Sequence, residues 1–140
     1  MPISPVPDGY NSVTPLLHVR DVAGLLQFLE CAFEAVETGR ATHSDGRIVH
    51  AEVRIGNSRV MLGEPWGDDE IPPGTHYAYL YVEDTDTAYR RALEAGATSL
   101  MEPAEQFWGD RLAGVEDPAG IRWWIATRTR EVFPPPPRHW

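Results

Sequence analysis

The sequence predicts an α+β fold of two tandem βαβββ modules, with curled mixed sheets around a central cavity and the helices outside. Three observations carry this expectation. The stretches His18-Val19-Arg20-Asp21 and Tyr81-Val82-Glu83-Asp84 each lead into a helical pattern, and they lie 63 residues apart. Around each helix the order is the same, one alternating apolar segment before it and three after it. Between the two copies, Glu64 to Gly74 is a polar stretch with Pro65, Gly67, Pro72, Pro73 and Gly74, which reads as a linker.

Taken in order, residues 1–9 form a proline-rich arm, 10–63 the first module, 64–74 the linker, 75–128 the second module and 129–140 a proline-rich tail. In the first module, period-2 alternation predicts strands over 13–19, 47–55 and 58–62. A less regular strand at 36–43 ends in the turn Ser44-Asp45-Gly46. The helix opens at Asp21, a residue suited to N-capping, and carries Val22, Leu25, Leu26, Leu29, Ala32 and Phe33 on one face. Cys31 lies among these apolar positions and is expected as a small core residue.

In the second module, strands are expected over 75–82, 111–116 and 121–127, with a further one at 98–102 ended by Pro103. Its helix opens at Asp84, carries Ala88, Tyr89, Ala92 and Leu93, and stops at Gly96. A βαβββ module covers one sheet face with its helix, and its other face must find a partner or line a cavity.

Composition narrows the function. At 140 residues, with 42 % apolar and 24 % charged, the chain is one globular unit long. No apolar run reaches the ~18 residues of a membrane span, and the start lacks a leader pattern, so a cytoplasmic protein without a membrane partner is expected. The single cysteine allows no intrachain disulfide and no cysteine-cluster zinc site. Twelve basic against 21 acidic residues give a formal charge of −9, the wrong sign for nucleic acid.

Four segments carry a family likeness: V-T-P-L-L-H-V-R-D at 13–21, D-G-R-I-V-H-A-E-V-R-I-G-N-S-R-V-M-L at 45–62, H-Y-A-Y-L-Y-V-E-D at 76–84, and F-W-G-D-R-L-A-G-V-E-D-P-A-G-I-R-W at 107–123. Over residues 10 to 130 the chain resembles the vicinal oxygen chelate superfamily of glyoxalases, bleomycin-resistance proteins and extradiol dioxygenases, and within it the PhnB-like branch. The resemblance implies four metal-ligand places on four cavity-facing strands, filled by His, Glu or Gln in metal-dependent members. Here register puts Thr14, Met61, Tyr77 and Trp124 at those places. None offers imidazole or carboxylate, so no metal and no other cofactor is expected. Glyoxalase and dioxygenase chemistry, which in the family relies on the metal, is disfavoured by the same residues.

Strand parity lists the cavity side chains. Thr14, Leu16 and His18 share one face, with Val13, Leu17 and Val19 turned to the helix. In the next long strand His50, Glu52 and Arg54 face the cavity, while Val49, Ala51, Val53 and Ile55 face the helix. Tyr77, Tyr79 and Tyr81 line one strand of the second module, and Arg122 and Trp124 another, which turns Trp123 to the helix side. Phe107 and Trp108 are placed at the mouth, and Met61 completes the lining. Aromatic walls with a few polar groups suit a small organic molecule.

The leading expectation is a metal-free protein that binds a small aromatic or hydrophobic molecule, neutral or cationic, with drug sequestration as a role the resemblance implies. One alternative is a metal-independent lyase or isomerase that uses His18, His50 and Glu52 as acid and base. The other is a metal-dependent lyase or dioxygenase with displaced ligands. A homodimer is expected as well, because members of the resembled family complete their cavities across a two-fold axis.

Overall fold

The computed structural model describes residues 4–64 and 76–131; all but the first residue of the expected linker, and the tail from 132, lie outside the described residues. The elements are β1 (Leu16–His18), α1 (Val22–Phe33), β2 (Val36–Thr42), β3 (Ile48–Ile55), β4 (Ser58–Gly63), β5 (Tyr77–Tyr81), α2 (Thr85–Glu94), β6 (Thr98–Glu105), β7 (Asp110–Glu116) and β8 (Arg122–Arg128). They form two four-stranded sheets, ordered β1-β4-β3-β2 and β5-β8-β7-β6. In each sheet the first strand pairs parallel with the last and the other pairings are antiparallel. This is the tandem βαβββ arrangement, with Leu16 on Met61 in the first sheet and Tyr79 on Trp124 in the second.

Local chemistry sets the helix ends. The Asp21 carboxylate accepts from Gly24 N at 2.9 Å and that of Asp84 from Thr87 N at 3.2 Å, each satisfying an otherwise unpaired helix donor. Gly96, at φ 109°, takes the left-handed turn that ends the second helix region. The first helix ends without a glycine: Glu34 itself adopts φ 57°, a conformation that costs an L-residue about 1 kcal/mol.

The helix-facing residues of both modules form one core, containing Leu25, Leu29, Val53, Leu62, Ile125 and Trp123. Each fully buried aliphatic side chain there contributes roughly 1.5–3 kcal/mol by leaving water. The two modules meet through it, for Phe33 of α1 packs its ring 5.0 Å from that of Trp123 in β8. On the far side of each sheet the alternate residues look outward.

Three local expectations are corrected. The strand expected over 13–19 is confined to Leu16–His18, and Val13, expected against the helix, is 82 % exposed. Pro15 explains this, since it brings no N–H to the ladder and only its carbonyl is used, accepting from Met61 N at 2.8 Å. The strand expected to stop before Pro103 runs on to Glu105; it is an edge strand whose register shifts between Met101 and Ala104, the setting in which a sheet tolerates proline. Cys31 is exposed rather than in the core, because it falls on the helix face of Gln27 and Glu30, between the buried pairs Phe28–Leu29 and Ala32–Phe33.

Candidate functional site

The outward face of the second sheet is aromatic. Tyr77, Tyr79 and Tyr81 stand on it 60 %, 40 % and 63 % exposed. Trp124 lies beside them across the β5–β8 pairing and reaches over Gly114 of β7; a Cβ at Gly114 would stand 2.7 Å from Cε3 of the Trp124 ring. The missing side chain is what lets the indole lie flat on the sheet. Arg122 continues the row, with its Nε donating to Glu116 Oε1 at 3.2 Å and its guanidinium 5.7 Å from the Tyr77 ring centre.

Beneath the row lies Asp110, only 3 % exposed. Its Oδ2 accepts from Tyr79 Oη at 2.6 Å and from Tyr81 Oη at 3.0 Å, which sets the two rings 5.3 Å apart at a 56° tilt. Tyr79 Oη also accepts from Trp108 Nε1 at 3.1 Å. Burial first, and the bond to Asp110 second, hold the Tyr79 phenol far above its ordinary pKa, so it stays a neutral donor. Trp108 in turn meets Phe107 edge-on at 4.8 Å. The four aromatics Phe107, Trp108, Tyr79 and Tyr81 thus form one connected group around one carboxylate.

The outward face of the first sheet is more polar. Leu16, His18, Met61, His50 and Glu52 share it, and Thr14 precedes it in the chain. Gly63 pairs with His18 on one side and His50 on the other. A Cβ at Gly63 would stand 3.7 Å from His18 Cδ2 and 3.9 Å from His50 Nδ1, so both imidazoles lean over the same gap. Glu52 is turned to other partners. Its carboxylate accepts from Tyr10 Oη, from Thr38 Oγ1 at 2.7 Å and from Arg59 Nη1 at 2.9 Å. Burial raises the Glu52 carboxyl, but these three donors outweigh it and hold the group below the usual carboxylate range.

The metal places named by register do not fit a divalent ion. Thr14, Met61, Tyr77 and Trp124 offer a hydroxyl, a thioether, a phenol and an indole. Among the described residues no three His, Cys, Asp or Glu side chains are grouped as a metal site either. A chemistry that routes through a metal therefore has no support from the donors on this face.

A model of the glyoxalase/bleomycin resistance protein/dioxygenase superfamily matches residues 10–125. The chain belongs to this superfamily. An uncharacterised protein of Mycobacterium bovis is 38 % identical over 130 residues, 86 % of this chain and 86 % of that protein. A counterpart from Mycobacterium tuberculosis is also 38 % identical, over 86 % of this chain and 76 % of its own. Among solved structures, TioX from a Micromonospora species is similar at a TM-score of 0.68, with 22 % identity over 87 % of this chain and 99 % of that one. A PhnB protein from Bacillus cereus also reaches 0.68, at 15 % identity over 84 % and 99 %. At these identities the structural likeness shows the fold alone.

Four residues that hold the candidate site residues in place were not among those expected from the sequence: Asp110, Tyr10, Thr38 and Arg59. Asp110 was within reach of parity, since Gly114, Leu112 and Asp110 alternate on the strand beside Trp124. Starting the strand at 111 hid it. The partners of Glu52 had no such signal, because Tyr10 lies 42 residues away and joins through the fold.

Proposed function

We propose that this protein binds, without a metal, a small aromatic or hydrophobic molecule, neutral or positively charged, on the row Tyr77, Tyr79, Tyr81 and Trp124. A second copy of the chain closes the site. The observation that carries this reading is the row itself, aromatic side chains on adjacent strands that stay open to solvent in one chain above a buried carboxylate. Flat apolar ligands gain stacking area there. A cationic ligand gains in addition about 0.5–2 kcal/mol per well-placed ring, and Asp110 with the formal charge of −9 favours the same sign.

Acid–base catalysis by His18, His50 and Glu52 is the weaker alternative on this geometry. The three donors that hold the Glu52 carboxylate lower its pKa, which makes it a weak base. Binding and sequestration of a small molecule ask for no such group.

The test is a screen of neutral and cationic aromatic compounds by tryptophan emission, repeated for the best hit on two variants. Trp124 stands in the site, whereas Trp123 is buried against Phe33 with its Nε1 donating to Asp117 at 2.8 Å. Trp124→Phe should abolish the response and Trp123→Phe should keep it. The reverse pattern, or no compound that changes the emission of the unaltered protein, defeats the proposal.

A further inference from the structure

Residues 4–13 form an arm that is exposed at 4–9 and again at 11–13, with Tyr10 half-buried between. Among the described residues its hydrogen bonds to the first sheet run through two neighbours. Gly9 O accepts from Arg59 Nε at 3.1 Å, and Tyr10 Oη donates to Glu52 Oε2. The arm's other bonds are its own, Ser4 Oγ donating to Val6 O at 3.0 Å and Tyr10 N to Pro7 O at 3.1 Å.

The surface that receives Tyr10 is built by three adjacent strands, one side chain from each. Glu52 of β3, 8 % exposed, supplies the acceptor. Thr38 of β2 is the unpaired residue at the register shift between Glu37 and Gly39, and this bulge aims its hydroxyl at Glu52 Oε1, 2.7 Å away. Arg59 of β4 donates to the same oxygen at 2.9 Å and lays its guanidinium 4.7 Å from the centre of the Tyr10 ring. The strands thus fix the carboxylate through Oε1, and Oε2 takes the phenol. A fixed acceptor for the hydroxyl and a cation on the ring face are what a phenol needs, and neither requires that the phenol be part of the chain. We propose that Thr38, Glu52 and Arg59 form a phenol-binding place on the first sheet, that Tyr10 is its tethered occupant, and that the arm swings off to admit a free small phenol. An anionic ligand would set its charge against that of Glu52, so the class is a neutral phenol.

The arm is built to move. Tyr10 lies outside the core cluster, and a segment with few buried contacts opens at small free energy. The place outlasts the departure of Tyr10, because Glu52 keeps its bonds to Thr38 and Arg59. An arm open about one-tenth of the time weakens the apparent affinity for a free phenol about tenfold, so the tether sets a threshold concentration for entry.

This place is on the other sheet from the aromatic row and does not rest on the function proposed above, so it is tested with its own probe. The probe is p-cresol, the tyrosine side chain cut off at Cβ. In calorimetric titration, Tyr10→Ala, its fold checked by thermal unfolding, should bind p-cresol at least tenfold more tightly than the unaltered protein does. Toluene, which lacks the hydroxyl, should show no such gain. Tyr10→Phe keeps the ring and loses the bond to Glu52; it should fall between the two and guards against an alanine variant that folds poorly. In unaltered protein labelled with fluorotyrosine, the Tyr10 fluorine resonance, assigned by its loss in Tyr10→Phe, should move to the position of free fluorotyrosine as p-cresol is added. Equal binding of p-cresol by the unaltered protein and both variants, or by none of them, overturns the proposal. So does a gain for toluene as large as that for p-cresol, or a Tyr10 resonance that stays in place at concentrations more than tenfold above those that saturate Tyr10→Ala. Any of these with the Trp124 emission response to aromatic compounds intact refutes only this inference, and loss of that response alone refutes only the ligand reading.

Discussion

In two buried carboxylates the balance between burial and hydrogen bonding falls in opposite directions. Asp117, in the turn before β8, accepts from Ala119 N at 2.8 Å, Ile121 N at 3.0 Å and Trp123 Nε1, yet burial prevails and raises its pKa. At Glu52 three side-chain donors, one of them the charged Arg59, prevail over burial and lower it. A lowered folded pKa means that Glu52 stabilises the fold above its unfolded pKa and loses that contribution as pH falls through the folded one. Asp117 works the other way, its contribution being present at acid pH and lost as pH rises through its raised pKa. Glu52→Gln should therefore cost ~1–3 kcal/mol at pH 7, because an amide has one acceptor oxygen for three donors. In urea unfolding the gap between variant and unaltered protein should narrow between pH 7 and pH 3. A gap that is constant over this range would show that the charge on Glu52 contributes nothing.

At the scale of elements, the helices and the inward faces of the strands were legible because both follow from short-range chemistry. The aspartate caps, the apolar helix faces and the period-2 alternation each act within a few residues. Strand ends were less legible, and each miss has a backbone cause. Pro15 shortens β1 by withholding a donor, and the irregular pairing of an edge strand carries β6 past Pro103. The site was half legible for the same reason, since parity lists the residues on a face but not the carboxylate beneath it. Gly114 shows what parity leaves out. Its lack of a side chain seats Trp124, so Gly114→Ala must push the indole off the sheet. That should lower stability by about 1–3 kcal/mol through overpacking and shift the tryptophan emission maximum. An unchanged melting temperature and spectrum would mean that Trp124 does not rest on Gly114.

At the scale of the molecule, the sequence pattern tells which residues share a face and is silent on which faces meet. The two helix sides meet in one core through Phe33 and Trp123, a contact between residues 90 positions apart in the chain. Once those sides are joined, the outward faces carry the apolar groups that remain, Leu16 at 47 % exposure and the three tyrosines among them. Exposed apolar surface gathered on one face, as the three tyrosines are on the second sheet, usually marks an interaction site. A second copy is the partner proposed here, because a two-fold axis can set the polar outward face of one chain's first sheet over the aromatic face of the other's second sheet, twice at once. Light scattering should then give a mass near twice 15.7 kDa. Leu16→Arg, on the rim of the polar face, should drive the protein toward single chains without harming its fold, since Leu16 is outside the core cluster. A mass of 15.7 kDa at every workable concentration of the unaltered protein would refute the shared cavity. The aromatic row would then be left to the small ligand alone.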